Sequence, residues 1–421
     1  MKFLINIEKE RFDAFNRNHK NNHYTKMSSY GIFRQGKNTG YLCLGIEDDN
    51  QQLIATALLI IMHVPMIGKL FYVPSGPNLD ISNLELQTFF YDHLKQLAKN
   101  QKCFMIKIDP NIERLAHFKD GSVDPDGFNN EHYVDFFKKL EFYHTGFKYG
   151  YSGYWRNRFT YILDLSQDLS TIHRNIKRYN TYHEKNESRF VEVKKSDERD
   201  LHVLVQSQKQ LSKKRVFVPK EEAHFRKLMK SFKEDAVLYI ATVDYPRALE
   251  SLIRQKEELQ AKLSQDIKES KKNQVEKQIA ALERECDEIF ELANKYPEPV
   301  KVGAKLILNI GPKLFNINMY TQPLLNNMRV AFALHDQAII DAKQANIKEY
   351  NFEGVSGSLD PNDIYYGMYV FKKSFGGDFV EYLGEFDCVL KPLKYNWYVS
   401  KLPKLQRVIR YMRTKLIKAK R

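Results

Sequence analysis

The sequence predicts a mixed α/β (α+β) chain built from two similar halves, the second interrupted by a helical hairpin. Three observations carry this. Apolar, strand-like runs alternate with amphipathic helical runs, the pattern of helices layered on sheets. The same order of elements begins again after residue 150. Between Arg247 and Lys295 the pattern stops, with neither Gly nor Pro and a crowd of charges. At 421 residues the chain is also too long for one ordinary core, so two or three domains are expected.

In the first half, "YLCLGIED", "QLIATALLIIMHV" and "CFMIKIDP" read as strands. Between them "NLELQTFFYDHLKQLAKN" places Leu84, Leu86, Phe89, Phe90, Leu94 and Leu97 near one helical face. The most apolar stretch, "IATALLIIMHVPMIGKLFYV", carries His63, Pro65 and Lys69, and reads as two strands and a turn rather than a membrane span. The second half restarts with the strand "RFTYILDL", one basic helix over "STIHRNIKRYNTYHEKNES" and the strand "RFVEVKK". Helices at 197–212 and 221–234, three further strands, a helix across 326–346 and the strand "EYNFEGV" complete it.

In the interruption, Val275, Leu282 and Ile289 fall seven apart, and Ile279, Cys286 and Ala293 repeat that interval. Leu249, Leu252, Leu259 and Leu263 form a similar seam, and the polar "SQDIKESKKNQ" supplies a turn. This predicts an antiparallel coiled-coil arm, each limb roughly 30 Å long. The expected organisation is a first domain over 1–150 and a second over 151–245 and 298–390. The arm at 246–297 is inserted in the second domain, and a basic amphipathic segment occupies 391–421. There Leu402, Leu405, Ile409, Met412 and Leu416 line one face among lysines and arginines, suited to an anionic membrane surface, an RNA backbone or a docked terminal helix.

A hydrophobic content of 43% and an aromatic content of 13% support folding over most of the chain, and a formal charge of +14 favours polyanionic partners. The four cysteines are scattered and read as reduced thiols of a cytoplasmic protein. The start, "MKFLINIEKERF", is too short in apolar run for a signal peptide. Neither a phosphate-binding glycine loop, a G-x-S-x-G elbow nor a metal-ligand spacing appears, and a solitary His335 reads as structural. Near the C-terminus Lys372 directly follows Phe371 in a segment that reads as a buried strand, where an ammonium is costly unless paired or used. In a strand, Lys373 would face the other way.

The stretches "YNFEGVSGSLD" at 350–360 and "YGMYVFKKSFGGDFVEYLGEF" at 366–386 resemble the C-terminal signature of the Fem family (FemABX). Upstream, "FYVPSGPNLD", "CFMIKIDP", "LEFYHTGFKYGY", "RFTYILDL" and the helical arm follow in that family's order. The resemblance implies two acetyltransferase-like (GNAT-like) domains. It implies an aminoacyl-tRNA-dependent transferase in peptidoglycan synthesis. An amino acid would pass from the 3′ end of tRNA to an amine on the stem peptide or growing interpeptide bridge of a lipid-linked or UDP-linked precursor. The ester is already activated, so the resemblance implies no cofactor, ATP or metal.

Residue by residue, Lys372 matches the Lys of the family's F-K motif, the electrophile near the acyl ester, with Phe371 and Phe375 as its aromatic surroundings. Lys26, Tyr30 and Arg34 keep the spacing of a Gln, aromatic and Lys set that meets the acceptor's diphosphate, and Lys220 falls where an Arg meets the same group. The resemblance implies that Ser75 and Gly76, with Tyr30, belong to the acceptor pocket, Ser75 standing where many relatives have Arg. It also implies that Arg174, Lys177 and Arg178 are phosphate or tRNA contacts on a basic helix more dilute than usual. A basic C-terminal segment suits peripheral contact with the inner membrane surface, and a homodimer is compatible with the sequence. Two alternatives stay open: a non-catalytic tRNA- or partner-binding member of the fold, and a variant with the same chemistry serving immunity to a cell-wall hydrolase.

Overall fold

The structure, a computed structural model, describes residues 1–151, 155–214, 219–264, 268–322 and 328–400. The first half supplies β1 (Lys2–Ile5), α1 (Lys9–Asn18), α2 (Ser28–Arg34), β2 (Thr39–Glu47), β3 (Leu53–Val64), β4 (Gly68–Val73), α3 (Leu84–Asn100), β5 (Met105–Ile108), α4 (His132–Lys139) and β6 (Tyr143–His144). Then come β7 (Phe159–Asp164), α5 (Leu169–Asn175), α6 (Tyr179–Ser188), β8 (Val191–Ser196), α7 (Leu201–Lys214), α8 (Glu222–Phe232) and β9 (Ala236–Val243). The arm is α9 (Tyr245–Leu263) and α10 (Glu269–Lys295). The chain continues through β10 (Val300–Ile310), β11 (Lys313–Thr321), α11 (Val330–Gln344), β12 (Glu349–Val355), α12 (Tyr366–Lys373), β13 (Asp378–Glu381), β14 (Phe386–Val389) and α13 (Pro392–Ser400).

These strands form two seven-stranded sheets, ordered β1-β2-β3-β4-β5-β14-β6 and β8-β9-β10-β11-β12-β7-β13. Written this way, the sheets match position by position. Four antiparallel strands are followed by one parallel join, β4 to β5 and β11 to β12, and then by two antiparallel pairings. Each parallel join is crossed by a helix, α3 or α11, as parallel neighbours require. The duplication read from the order of elements is therefore a duplication of sheet topology.

The sixth position is exchanged between the halves. β14, from the end of the described chain, fills the gap between β5 and β6, whereas β7, which precedes the second half's other strands, sits between β12 and β13. This corrects the expected boundary, because residues 386–389 lie inside 298–390 yet pair with the first sheet. Buried Lys107 on β5 binds the displaced strand's neighbourhood, reaching Glu385 at 2.8 Å and Asp387 at 2.7 Å.

Each sheet is apolar on both faces. In the second, Tyr161, Tyr239, Val302 and Tyr350 pack beneath α11 and the base of the arm. On the opposite face Leu238, Leu306 and Leu308 pack under α7 and α8. That core also takes in Met27 and, at its edge, Tyr24, Tyr30 and Phe33, so the first half's α2 docks on the second sheet's helical layer.

The arm forms as a helical hairpin. Pro246 sits in the first turn of α9, Asp244 accepts from the Arg247 amide at 3.1 Å, and Ile279 and Ile289 are buried along the seam. With 19 and 27 residues the limbs span about 28 and 40 Å, the second longer than expected. The buried Arg189 holds Glu285 of α10 through two bonds of 3.0 and 2.9 Å, fixing the arm's base to the second sheet. The amphipathic face expected over 402–416 lies outside the described residues.

Two local expectations are corrected. The single basic helix after "RFTYILDL" is two helices, α5 and α6, broken where Arg178 adopts φ 62°. Lys372 lies on a helix, α12, not on a strand. Its buried positions, Tyr369 and Lys372, are three apart, the spacing of one helical face.

Candidate active site

Lys372 is 7% exposed at the last turn of α12, beneath β12. Strand β12 loses register with β7 between Asn351 and Gly354, and Glu353 in this bulge takes φ 59°. The bulge turns three successive carbonyls towards the lysine. Its Nζ donates to Phe352 at 2.7 Å, Glu353 at 2.7 Å and Gly354 at 2.8 Å. A Cβ at Gly354 would strike the Asn157 side chain, so this turn of the bulge needs glycine. Burial lowers the Lys372 pKa to about 7, with the Glu353 charge working against that fall. Main-chain oxygens therefore hold the ammonium, correcting the expectation that Phe371 and Phe375 do so. Those two rings stand edge to face at 5.3 Å, beside the His335 ring. Lys373 points elsewhere, to the Tyr369 hydroxyl at 3.1 Å.

A second lysine was not singled out in the sequence. Lys305 on β10 is fully buried and bonds His335 Nδ1 at 2.6 Å and the Tyr350 hydroxyl. Burial and the charge of Lys372 drive its pKa well below that of an exposed lysine. The His335 ring stacks on Phe352 at 5.0 Å.

On one side of Lys372, α5 and α6 meet the end of its helix. The Lys177 amide donates to the Ser374 carbonyl at 2.7 Å, and Gly376, at φ 78°, packs against Asn175. A 410 Å³ cavity opens here, with Lys177, Arg178, Arg329, Tyr182, Phe332 and Phe371 among its walls. Arg178 and Arg329 are the residues preceding α6 and α11, both left-handed, and neither helix start carries a side-chain cap. Two helix N-terminal ends and three cations give this cavity a positive lining. The Arg329 guanidinium stacks 4.7 Å over Tyr182, while its buried Nε lacks a hydrogen-bond partner among the described residues. Arg174 is exposed on α5, bonds Thr171 at 3.2 Å, and is not part of this wall.

On the other side, the first half approaches. Arg34 donates to the Tyr30 hydroxyl at 2.9 Å, and partial desolvation together with the Arg34 charge lowers the pKa of Lys220. The expected pair is thus brought together across the α2–α8 contact. From Arg34 a run of rings leads inward: Tyr30 to Tyr24 at 5.9 Å, then Tyr24 to His23 at 4.5 Å. His23 Nε2 stands 3.4 Å from the Glu353 carboxylate.

Three neighbours face inward instead. Lys26 is buried on Asn78 Oδ1 at 2.7 Å, and Ser75 is fully buried on Thr25 Oγ1 at 2.7 Å and Asp109. Gly76 turns the chain at φ 67° against Pro110. Ser75 and Gly76 shape the floor beneath His23 rather than presenting a side chain to a ligand.

Comparison with known proteins accords with this arrangement. The chain belongs to the FemAB family, whose model matches residues 7–400. FemA from Staphylococcus aureus strain MRSA252, named an aminoacyltransferase, is 24% identical over 418 residues, spanning 95% of this chain and 97% of that protein. The crystal structure of FemX superposes with a TM-score of 0.73 at 22% identity, covering 94% of this chain and 99% of the other. The chain shares the fold of FemX, two sheets of like topology with the helical arm inserted between β9 and β10 of the second.

Proposed function

We propose that this protein transfers an amino acid from aminoacyl-tRNA to an amine of a peptidoglycan precursor. The observation that carries the reading is the position of Lys372. It is a buried lysine between a cationic cavity that opens at Phe371 and a path of aromatic rings that starts at Arg34 and Lys220. The name of FemA supplies the transferred group, an aminoacyl moiety. The cavity fits the phosphates of a tRNA 3′ end, because uncapped helix starts and three cations favour phosphate over carboxylate or neutral ligands. The Arg34–Lys220 pair fits the diphosphate of the acceptor.

In the reaction the acceptor amine attacks the ester carbonyl, the carbonyl oxygen becomes an oxyanion, and collapse expels the ribose 3′ oxygen, which takes up a proton. The amine loses one proton as the amide forms. Alignment of amine and ester is one contribution of the protein. The other is positive charge near the oxyanion in a site sheltered from water. All three ammonium protons of Lys372 are engaged by carbonyls. Lys372 therefore acts by its field, or by releasing one carbonyl as the oxyanion forms. The same engagement favours a second reading, in which Lys372 locks α12 onto β12 and the chain binds tRNA without catalysis.

Mass spectrometry separates the two. The protein is mixed with a charged tRNA pool and, in parallel, with lipid-linked precursor, its singly extended forms and UDP-linked precursor. A mass increment on one acceptor, absent with uncharged tRNA, supports transfer. No increment on any acceptor, with tRNA bound, supports the second reading.

A further inference from the structure

We infer that the Glu353 carboxylate is the group that receives the acceptor's primary ammonium and places it beside Lys372. This rests on the proposed transfer and adds a residue that neither the motif nor the charge pattern singled out.

Three observations meet here. First, Glu353 Oε1 is buried and has no hydrogen-bond partner among the described residues, although the carboxylate keeps some access, with 23% of its side chain exposed. Second, the groups around it are also incompletely satisfied. His23, 2% exposed, leaves Nε2 without a partner 3.4 Å away, and Arg156 leaves Nη1 without one. Buried polar atoms are nearly always paired, so unsatisfied ones on neighbouring groups mark a place for a polar partner. Third, Glu353 joins the two sides of the site. Its carbonyl accepts from Lys372 at 2.7 Å, and its carboxylate ends the run of rings from Arg34 through Tyr30, Tyr24 and His23.

The chemistry of the incoming group follows from charge. His23 is held neutral, because burial and the nearby Arg156 charge bring its pKa to about 3. Glu353 stays ionised. Burial alone would raise its pKa, but His23, Arg156 and Lys372 together bring it below the ordinary carboxylate value. An ionised carboxylate with a free oxygen accepts hydrogen bonds and donates none, so it selects a donor, and a cation above all. The acceptor arrives as a primary ammonium, gives one proton to solvent to become the attacking amine, and loses its second as the amide forms and the ribose oxygen is protonated. Glu353 holds a left-handed backbone, unfavourable for a side chain of this kind, while its carbonyl bonds Lys372 and its carboxylate stands 3.4 Å from His23.

The test uses the full chain and a soluble UDP-linked precursor in two forms, one with the acceptor lysine and one with norleucine in its place. Binding of each is measured by calorimetry to wild type, Glu353→Gln and Glu353→Asn; Asn tolerates the left-handed backbone if Gln destabilises the fold. Wild type is expected to bind the lysine form roughly 10- to 100-fold more tightly than the norleucine form, and both variants to lose that preference. In transfer, the acceptor KM of the variants rises by a similar factor, with kcat changed less than about threefold and the donor KM unchanged. Equal preference in wild type and variants overturns the assignment, as does a fall in kcat at constant acceptor KM. If wild type transfers nothing, the proposed function fails, while the two precursor forms still decide the role of Glu353.

Discussion

Lys372 Nζ lies 2.7 Å from the carbonyl oxygen of Glu353, a residue held at φ 59° in the bulge of β12. A left-handed non-glycine residue costs on the order of 1–2 kcal/mol. A buried lysine that forms no ion pair among the described residues costs more. The two unfavourable features support each other, since the bulge supplies the carbonyls that the ammonium needs.

The pH dependence of stability follows from this contact. Lys372 has a pKa of about 7, against 10.5 for an exposed lysine, through burial partly opposed by Glu353. A lysine with a lowered folded pKa binds fewer protons folded than unfolded between those two values, so its contribution to stability improves as pH rises through that window. Below about pH 7 its cost is complete and constant. Lys372→Met abolishes this dependence and removes the ammonium from the three carbonyls at every pH. The stability of wild type minus that of the variant is therefore expected to grow between pH 6 and 10, by up to about 4–5 kcal/mol. Urea titrations at both pH values check it; a constant difference would contradict it.

Arg34 ends α2, Lys220 precedes α8, and the Arg34 charge acts on Lys220; under the proposed function the two share the acceptor's diphosphate. Arg34→Ala and Lys220→Ala are each expected to raise the acceptor KM about tenfold or more, with little change in kcat. The double variant should fall short of the product, because groups on a common ligand are not independent. Steady-state kinetics of the four proteins measure the coupling, and strict multiplicativity would separate the two residues.

Arg329 stands at the mouth of α11 with its Nε unpaired among the described residues. As a phosphate contact, Arg329→Ala should weaken tRNA binding irrespective of tRNA sequence and lower the slope of log K against log salt by about 1. Arg174→Ala, outside the cavity wall, should leave the slope nearly unchanged. Filter binding across a salt series reads both. Equal slopes for wild type and Arg329→Ala would remove Arg329 from the anion site.

Much of this was legible in the sequence because it is local or periodic. The hairpin of β3 and β4, the arm and its seam, and the repeated order of elements follow from turn residues and spacing. The exchange of β7 and β14 was not, because pairing between distant strands leaves no local trace. Lys372 was found as an anomaly among apolar neighbours, but its element was misread. "YGMYVFKK" is rich in aromatic and β-branched residues, and its helix lacks a side-chain cap, so local preference spoke for a strand. The break between α5 and α6 also escaped detection, since it depends on docking against Ser374 rather than on a Gly or Pro.

Of the unnoticed site residues, Lys305 had a signal of the same kind as Lys372, a charge within the apolar run "AKLILNI". Arg329 had none beyond its place before a helix. Glu353 lay in a strand whose bulge, invisible to pattern, gives the residue its orientation.

The most direct test is the single-turnover rate of aminoacyl transfer by Lys372→Met, compared with wild type and with Lys373→Met, each confirmed folded by its thermal transition. Loss of one charge acting on the oxyanion is expected to slow transfer by about 10²- to 10³-fold in Lys372→Met. Lys373→Met should stay within about threefold of wild type. A Lys372→Met protein that is folded and transfers at the wild-type rate would show that the buried lysine serves the fold and not the reaction.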